Sequence, residues 1–246
     1  MTQRLLILIF ATAILLLSSA RALAQTDTIE SPMSMLHSVY SQLDPQHMPH
    51  GLLFQSAYPM ATLPHYTGVR GADDSLRVDI NTYGRILFTL GSAVRDTLAP
   101  ALFDLGYRDH YTARSVDDRV ELTGMLAAGG LLLENAFSNN WLAPSTDSSQ
   151  LIEQPGMSSA AYGTDTVFAF APTVRALGGT SVTWHFTDSL FYGNLGWPVQ
   201  LAFDPGDGQG MRNVGFGDSL TVDYTGLDTA RMELSFSAQG KTYRAY

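Results

Sequence analysis

The chain has 246 residues, 45% hydrophobic and 15% charged, with a formal net charge of -9 and no cysteine. That length supports one large domain or two small ones around a packed core. The missing thiols exclude disulfide scaffolds, zinc–cysteine sites and cysteine nucleophiles, and an acidic surface repels phosphate, so nucleic acid is not expected as a partner.

Residues 1–24 carry the pattern of a secretory signal peptide. Arg4 supplies the positive start, residues 5–17 form an apolar run broken only by Thr12, and Ala22-Leu23-Ala24 places small residues before a cleavage site at Gln25. The run is too short for a ~30 Å hydrocarbon core, so cleavage rather than stable membrane insertion is expected. Losing Arg4 and Arg21 leaves the remainder more acidic still. Export to the periplasm, the cell surface or the medium follows from this reading.

Residues 25–100 read as a helical and irregular segment. Met35, Leu36, Val39, Tyr40 and Leu43 fall at helical spacing, predicting a short helix over 33–43. Pro59, Pro64 and the glycines in 51–71 predict an ordered but irregular connection. From Asp79, a plausible N-cap, Ile80, Tyr83, Leu87, Leu90 and Val94 recur every three or four residues, predicting a helix with one buried face that Pro100 prevents from continuing.

Residues 101–161 read as a β-hairpin region followed by a linker. Ala101, Phe103, Leu105 and Tyr107 alternate as in a strand. Two β-rich runs, 120–125 and 131–136, flank Ala127-Ala128-Gly129-Gly130, where Gly-Gly predicts a tight hairpin. The polar stretch 138–161, with Pro144 and Pro155, predicts a loop and a domain boundary. Strands are then expected at 166–171, 180–186, 199–203, 219–224, 231–236 and 241–246, the short spacing of a β-sandwich.

Chemistry-bearing motifs are sparse. Asp204 and Asp207 in Phe203-Asp204-Pro205-Gly206-Asp207-Gly208-Gln209-Gly210 could offer oxygens to calcium, but glycines stand at the third and fifth EF-hand positions and Gly215 at the twelfth. The same residues predict a structural Asp-Gly turn, the favoured reading. Trp197, in Gly196-Trp197-Pro198, is the candidate for an exposed sugar-stacking ring, although packing is the favoured reading there too, whereas Trp184 alternates into a core and Trp141 is a further tryptophan. His47, His50, His65, His110 and His185 form no zinc motif, and His110 beside Asp109 is the one candidate general base. Gly156-Met157-Ser158-Ser159-Ala160 falls short of a nucleophile elbow. Asp73-Asp74 and Asp117-Asp118, with Glu121 near the second pair, do not suit a glycosidase because neighbours on a strand face opposite ways, and Arg114 and Arg119 beside the second pair favour a solvated ion-pair patch there.

The Phe203–Gly208 stretch, followed by Tyr224-Thr225-Gly226-Leu227 and the alternating Met232-Glu233-Leu234-Ser235-Phe236, resembles PKD-like domains, immunoglobulin-like sandwiches of bacterial extracellular proteins. The resemblance spans 167–246 and is divergent, without the tryptophan at the strand start or the Gly-Thr-Tyr after the turn. Gly51-Leu52-Leu53-Phe54, the helix around Tyr83 and Phe168-Ala169-Phe170-Ala171-Pro172 resemble more broadly the N-terminal region of large secreted bacterial proteins. The resemblance implies a functional region elsewhere, sometimes a hydrolase.

The expected fold is therefore mainly β: a small α+β N-terminal part, then an immunoglobulin/PKD-like β-sandwich over 162–246 that continues into a longer protein. The expected function is a secreted, non-catalytic structural or interaction module without a cofactor, whose partner is an extracellular protein or glycan. The alternatives are a carbohydrate-binding module, with or without calcium, through Trp197, Asp204 and Asp207, and the accessory region of a secreted hydrolase.

Overall fold

A computed structural model describes residues 32–68, 77–95, 119–156, 158–176, 179–198, 200–225, 229–238 and 240–246. Leu36–Tyr246 forms one unit. The signal segment 1–24, the strand expected at 101–107, Asp73-Asp74, His110, Asp117-Asp118 and Gly226-Leu227 lie outside the described residues.

Helix α1 covers Pro32–Val39, four residues short of the expected end, and short 3-10 turns carry the chain onward from Pro45 to His65. Helix α2 covers Ile80–Ser92, and the Asp79 carboxylate caps it by accepting the Thr82 amide at 2.6 Å. The single buried face expected for α2 is corrected. Ile80, Tyr83, Gly84, Ile86, Leu87, Thr89, Leu90 and Ser92 are all buried, which takes up most of the circumference. The reason is polar as well as apolar: Ser92 Oγ accepts the Tyr58 amide at 2.7 Å and Thr89 Oγ1 accepts the Ala61 amide at 3.0 Å. Two side chains that look solvent-facing by type thus receive the backbone of the preceding irregular segment.

The described chain is mainly β and forms no barrel. Strand β1 runs from Arg119 to Leu132, β2 covers Leu142–Pro144, β3 Leu151–Glu153 and β4 Tyr162–Pro172. Strands β5 (Ser181–His185), β6 (Phe191–Tyr192), β7 (Gln200–Asp204), β8 (Arg212–Gly215), β9 (Ser219–Asp223), β10 (Glu233–Ala238) and β11 (Lys241–Ala245) follow. One sheet has the order β4-β1-β5-β9, with β6 also paired to β1; a second has the order β11-β10-β7-β8; β2 and β3 pair by themselves.

The glycine hairpin expected between 120–125 and 131–136 is corrected, because Ala127-Ala128-Gly129-Gly130 lies inside one continuous strand, β1, which runs on to Leu132, and residues 133–136 lie beyond its end. Gly129 and Gly130 make room rather than a turn. A Cβ on Gly129 would enter the Phe54 ring, and one on Gly130 would lie 2.9 Å from the Leu52 carbonyl oxygen and from Pro49 Cδ. Glycine in a strand interior marks such a close approach. Gly130 N–H donates to that Leu52 oxygen at 2.9 Å, docking the irregular segment on the sheet. The boundary expected in 138–161 likewise separates no sheets: β1 and β4, one on each side of it, pair from Leu122↔Pro172 to Leu132↔Tyr162.

Alternation along β4 sorts two cores. Phe168 and Phe170 join Val120, Leu122, Trp184, Leu201, Phe203, Leu234 and Phe236, so residues of both large sheets share one cluster. Val167, Ala169 and Ala171 point the other way and meet Ile86, Leu87 and Leu90 of α2. Small residues on that face let the helix approach closely. At the side of the sheets, Phe168 N–H donates to Tyr66 O at 2.6 Å and Arg244 N–H to Gly68 O at 2.7 Å. Residues 66–68 thereby bind edge strands of both sheets, β4 and β11, and satisfy backbone that would otherwise be open to pairing.

Candidate functional site

Trp197 is half-buried at the rim of the shared core, with its ring centroid 5.0 Å from Phe191, 5.7 Å from Phe236, 6.0 Å from Phe168 and 6.4 Å from Phe216. Its indole N–H donates to Tyr192 O at 2.9 Å. The space is made by Gly124 of β1, where a Cβ would stand 2.5 Å from Phe191 Cδ1 and 3.0 Å from Trp197 Cη2. The edges and faces of this ring are therefore engaged by aromatic neighbours, a packing role.

Asp204 and Asp207 sit at the end of β7 and in the turn to β8. Asp204 Oδ1 accepts the Gly206 amide at 2.8 Å, the bond that shapes the turn, and Gly206 takes φ 77°. Asp207 Oδ1 accepts the Gln209 amide at 3.1 Å, and Oδ2 accepts from Arg212 Nη2 at the start of β8. Below this turn Trp184 Nε1 donates to Tyr224 Oη at 3.1 Å, and Tyr224 Oη donates to Pro205 O at 2.8 Å. A buried chain of hydrogen bonds thus ties β5 and β9 of one sheet to the turn of the other. Both aspartates serve the turn, which is what their spacing in the Asp-Pro-Gly-Asp-Gly sequence favours.

Desolvation acts to raise the Asp207 pKa, but the hydrogen bond and charge of Arg212 and the Gln209 amide outweigh it and hold the carboxyl below its usual value. A depressed carboxyl pKa contributes stability above the unfolded value, about 4, and loses it as pH falls through the folded value. Asp207→Asn is expected to cost ~1–3 kcal/mol at pH 6. That deficit should be smaller in melts at pH 2, because protonation of the wild-type carboxyl advances as pH falls toward and through its folded value. An equal deficit at both pH values would refute the ion-pair account.

One titratable cluster was not anticipated from the sequence. His47 Nδ1 lies 2.8 Å from Glu153 Oε2 and His47 Nε2 lies 3.6 Å from Asp44 Oδ2. The Tyr162 hydroxyl donates to Glu153 Oε1, and burial first, then that carboxylate, pushes the Tyr162 pKa well up. The cluster joins the segment before α2 to β3 and β4, residues more than a hundred positions apart. No local pattern announces such a pairing.

The β2–β3 turn is held by Asp147, whose carboxylate accepts from Ser145 Oγ at 2.6 Å, Ser149 N at 3.1 Å and Ser149 Oγ at 2.8 Å. The Ser145 hydroxyl above all, then the Ser149 amide and hydroxyl, lower its pKa to about 2. An NMR titration of its carboxyl carbon should therefore have its midpoint near 2, and a midpoint at the ordinary value of about 4 would contradict the turn.

His185 accepts from Arg119 Nε at 3.0 Å, and Glu121 accepts from the Thr187 hydroxyl at 2.7 Å. Trp141 packs beside the cluster of Leu43, Leu53 and Leu142, while Trp184 is 2% exposed in the shared core. Among the described residues no group of three or more His, Asp and Glu side chains is arranged to hold a metal ion. No helix among them is long and apolar enough to cross a membrane. Comparison with protein-family models, curated proteins and solved structures finds no match to this chain.

Proposed function

We propose that this chain is a secreted, non-catalytic structural or interaction module, an immunoglobulin-like β-sandwich with a helical flank, forming the N-terminal part of a larger extracellular protein. The observation that carries the reading is the aromatic core common to both large sheets, with Phe168 against Phe236 at 5.1 Å and Trp184 against Phe203 at 5.8 Å. Such a core holds two sheets in fixed relation, and a fixed scaffold positions the loops and faces that meet a partner. The hydrogen-bonded duties of Trp197, Asp204 and Asp207 support a structural role for them over a glycan or calcium role.

Tryptophan fluorescence titrated with polysaccharides, with and without calcium, tests this. A spectrum that stays constant supports the scaffold reading, because Trp197 is already packed. A saturable shift abolished by Trp197→Phe would replace it with the carbohydrate-binding alternative. Export is tested separately by sequencing the native protein, whose mature N-terminus is expected at Gln25.

A further inference from the structure

The exposed stripe left on α2 is small and chemically mixed. Met60, 48% exposed, and Phe88, 41% exposed, line one open groove of about 580 Å³ together with Asn81, Thr82, Arg85 and Asp79. The Phe88 ring is steadied edge-on by Tyr58 at 6.2 Å. Asp79 is engaged in capping, with Thr82 N at 2.6 Å and Asn81 Nδ2 at 3.4 Å. Arg175 Nη2 donates to Asn81 Oδ1 at 2.6 Å, which brings a second cation to the rim. The Arg85 backbone carbonyl accepts from Thr89 Oγ1 at 2.8 Å, while its guanidinium makes no hydrogen bond or close ion pair with the described residues and acts on Asp79 and Tyr66 through its charge alone. Among the described residues, the guanidiniums of Arg85 and Arg175 against the one carboxylate of Asp79 give this groove an excess of positive charge, on a chain of net charge -9.

We propose that this groove docks an extended peptide segment of a partner protein that carries a carboxylate two residues from an apolar side chain. Residues two apart in an extended chain share a face, so the carboxylate meets Arg85 while the apolar side chain lies between Met60 and Phe88. Guanidinium and carboxylate match as a two-pronged pair. A nucleic acid or an anionic membrane does not suit the site, because the surrounding net negative charge repels a polyanion while one local carboxylate is accepted. The proposal rests on the interaction-module reading and names the chemistry of its partner.

The test uses fluorescence anisotropy of the full mature chain with a fluorescein-labelled peptide Gly-Ser-Asp-Ser-Phe-Ser-Gly and its lysine-for-aspartate counterpart. Binding of the acidic peptide with a Kd below ~1 mM is expected, weakened at least tenfold by Arg85→Glu and by Phe88→Ser. Phe137→Ser, at an exposed phenylalanine elsewhere, should leave it unchanged. Circular dichroism melts confirm that each variant is folded before it is scored. Equal binding of both peptides, no binding at millimolar concentration, or self-association that Arg85→Glu abolishes would each overturn the proposal, the last because a second copy then fills the groove. Any of these leaves the scaffold reading standing, since that reading is decided by the polysaccharide titration.

Discussion

Phe203→Ala is expected to destabilise the protein by ~3–5 kcal/mol, enough to unfold a marginal domain. Phe203 is 0% exposed on β7 and reaches across to the other sheet. Its ring lies 6.4 Å from Phe170 of β4, 5.8 Å from Trp184 of β5 and 5.2 Å from Phe186, all edge-on. Truncation removes the aromatic transfer energy and leaves a cavity whose walls are themselves rigid rings, which collapse poorly. Phe137→Ala, at a ring 49% exposed, should stay within about 0.5 kcal/mol of wild type. Urea unfolding of the two variants measures the contrast. Similar midpoints would mean that the inter-sheet core is not what stabilises the fold.

Gly193→Ala is the second large effect, at ~3 kcal/mol or more, and it works through backbone rather than packing. Gly193 has φ 148°, and a Cβ there would fall inside the Leu126 carbonyl of β1. A main-chain carbonyl in a paired strand cannot swing aside as a side-chain tip can. The neighbouring Asn194 depends on the same approach: its Nδ2 donates to Ala128 O and its Oδ1 accepts the Ala128 amide, both at 2.7 Å. Those bonds occupy β1 where β6 ends, beyond the Met125↔Tyr192 pair. Loss of the approach therefore releases both bonds together. Gly196→Ala is the control, since a Cβ there meets nothing within 4 Å and its cost should be within about 0.5 kcal/mol.

These two sites show which parts of the fold could be read from the chain. Strands β5, β7, β9 and β11 expose or bury alternate residues for much of their length, so period-2 alternation marked them within a few positions, and in β10 the polar Glu233 and Ser235 kept the alternation in the sequence although Ser235 is buried. Strand β1 is buried on both faces from Leu122 to Gly130, which erases the alternation and leaves the adjacent Gly129 and Gly130 to imitate a turn. The true role of Gly129 depends on Phe54, seventy-five positions away. Strand β8 is four residues between glycine-rich segments, too short for a period to register. The α2 cap was legible because capping is local: Asp79 precedes the apolar repeat and bonds three residues on.

The candidate residues divide in the same way. Asp204 and Asp207 read as turn-formers from neighbours two to five residues away, and their bonds lie within that range. Trp197 read as a candidate exposed ring because its flanking Gly196 and Pro198 suggest a loop tip. Its packing is decided by Phe168, Phe216, Phe236 and the space over Gly124, none of them local. The groove at Arg85 was hidden because it needs Met60, from the preceding irregular segment, beside the one stripe of α2 that the fold leaves uncovered.

Residues of both large sheets share one core, which makes the two sheets a single scaffold. Urea unfolding of the mature chain, followed at once by tryptophan fluorescence and far-UV circular dichroism, tests it most directly. Trp184 reports the inter-sheet core while the dichroism reports all the strands. One transition with coincident midpoints is predicted. Fluorescence that changes while most of the β signal remains would contradict the claim, because the sheets would then stand without the core that is said to join them.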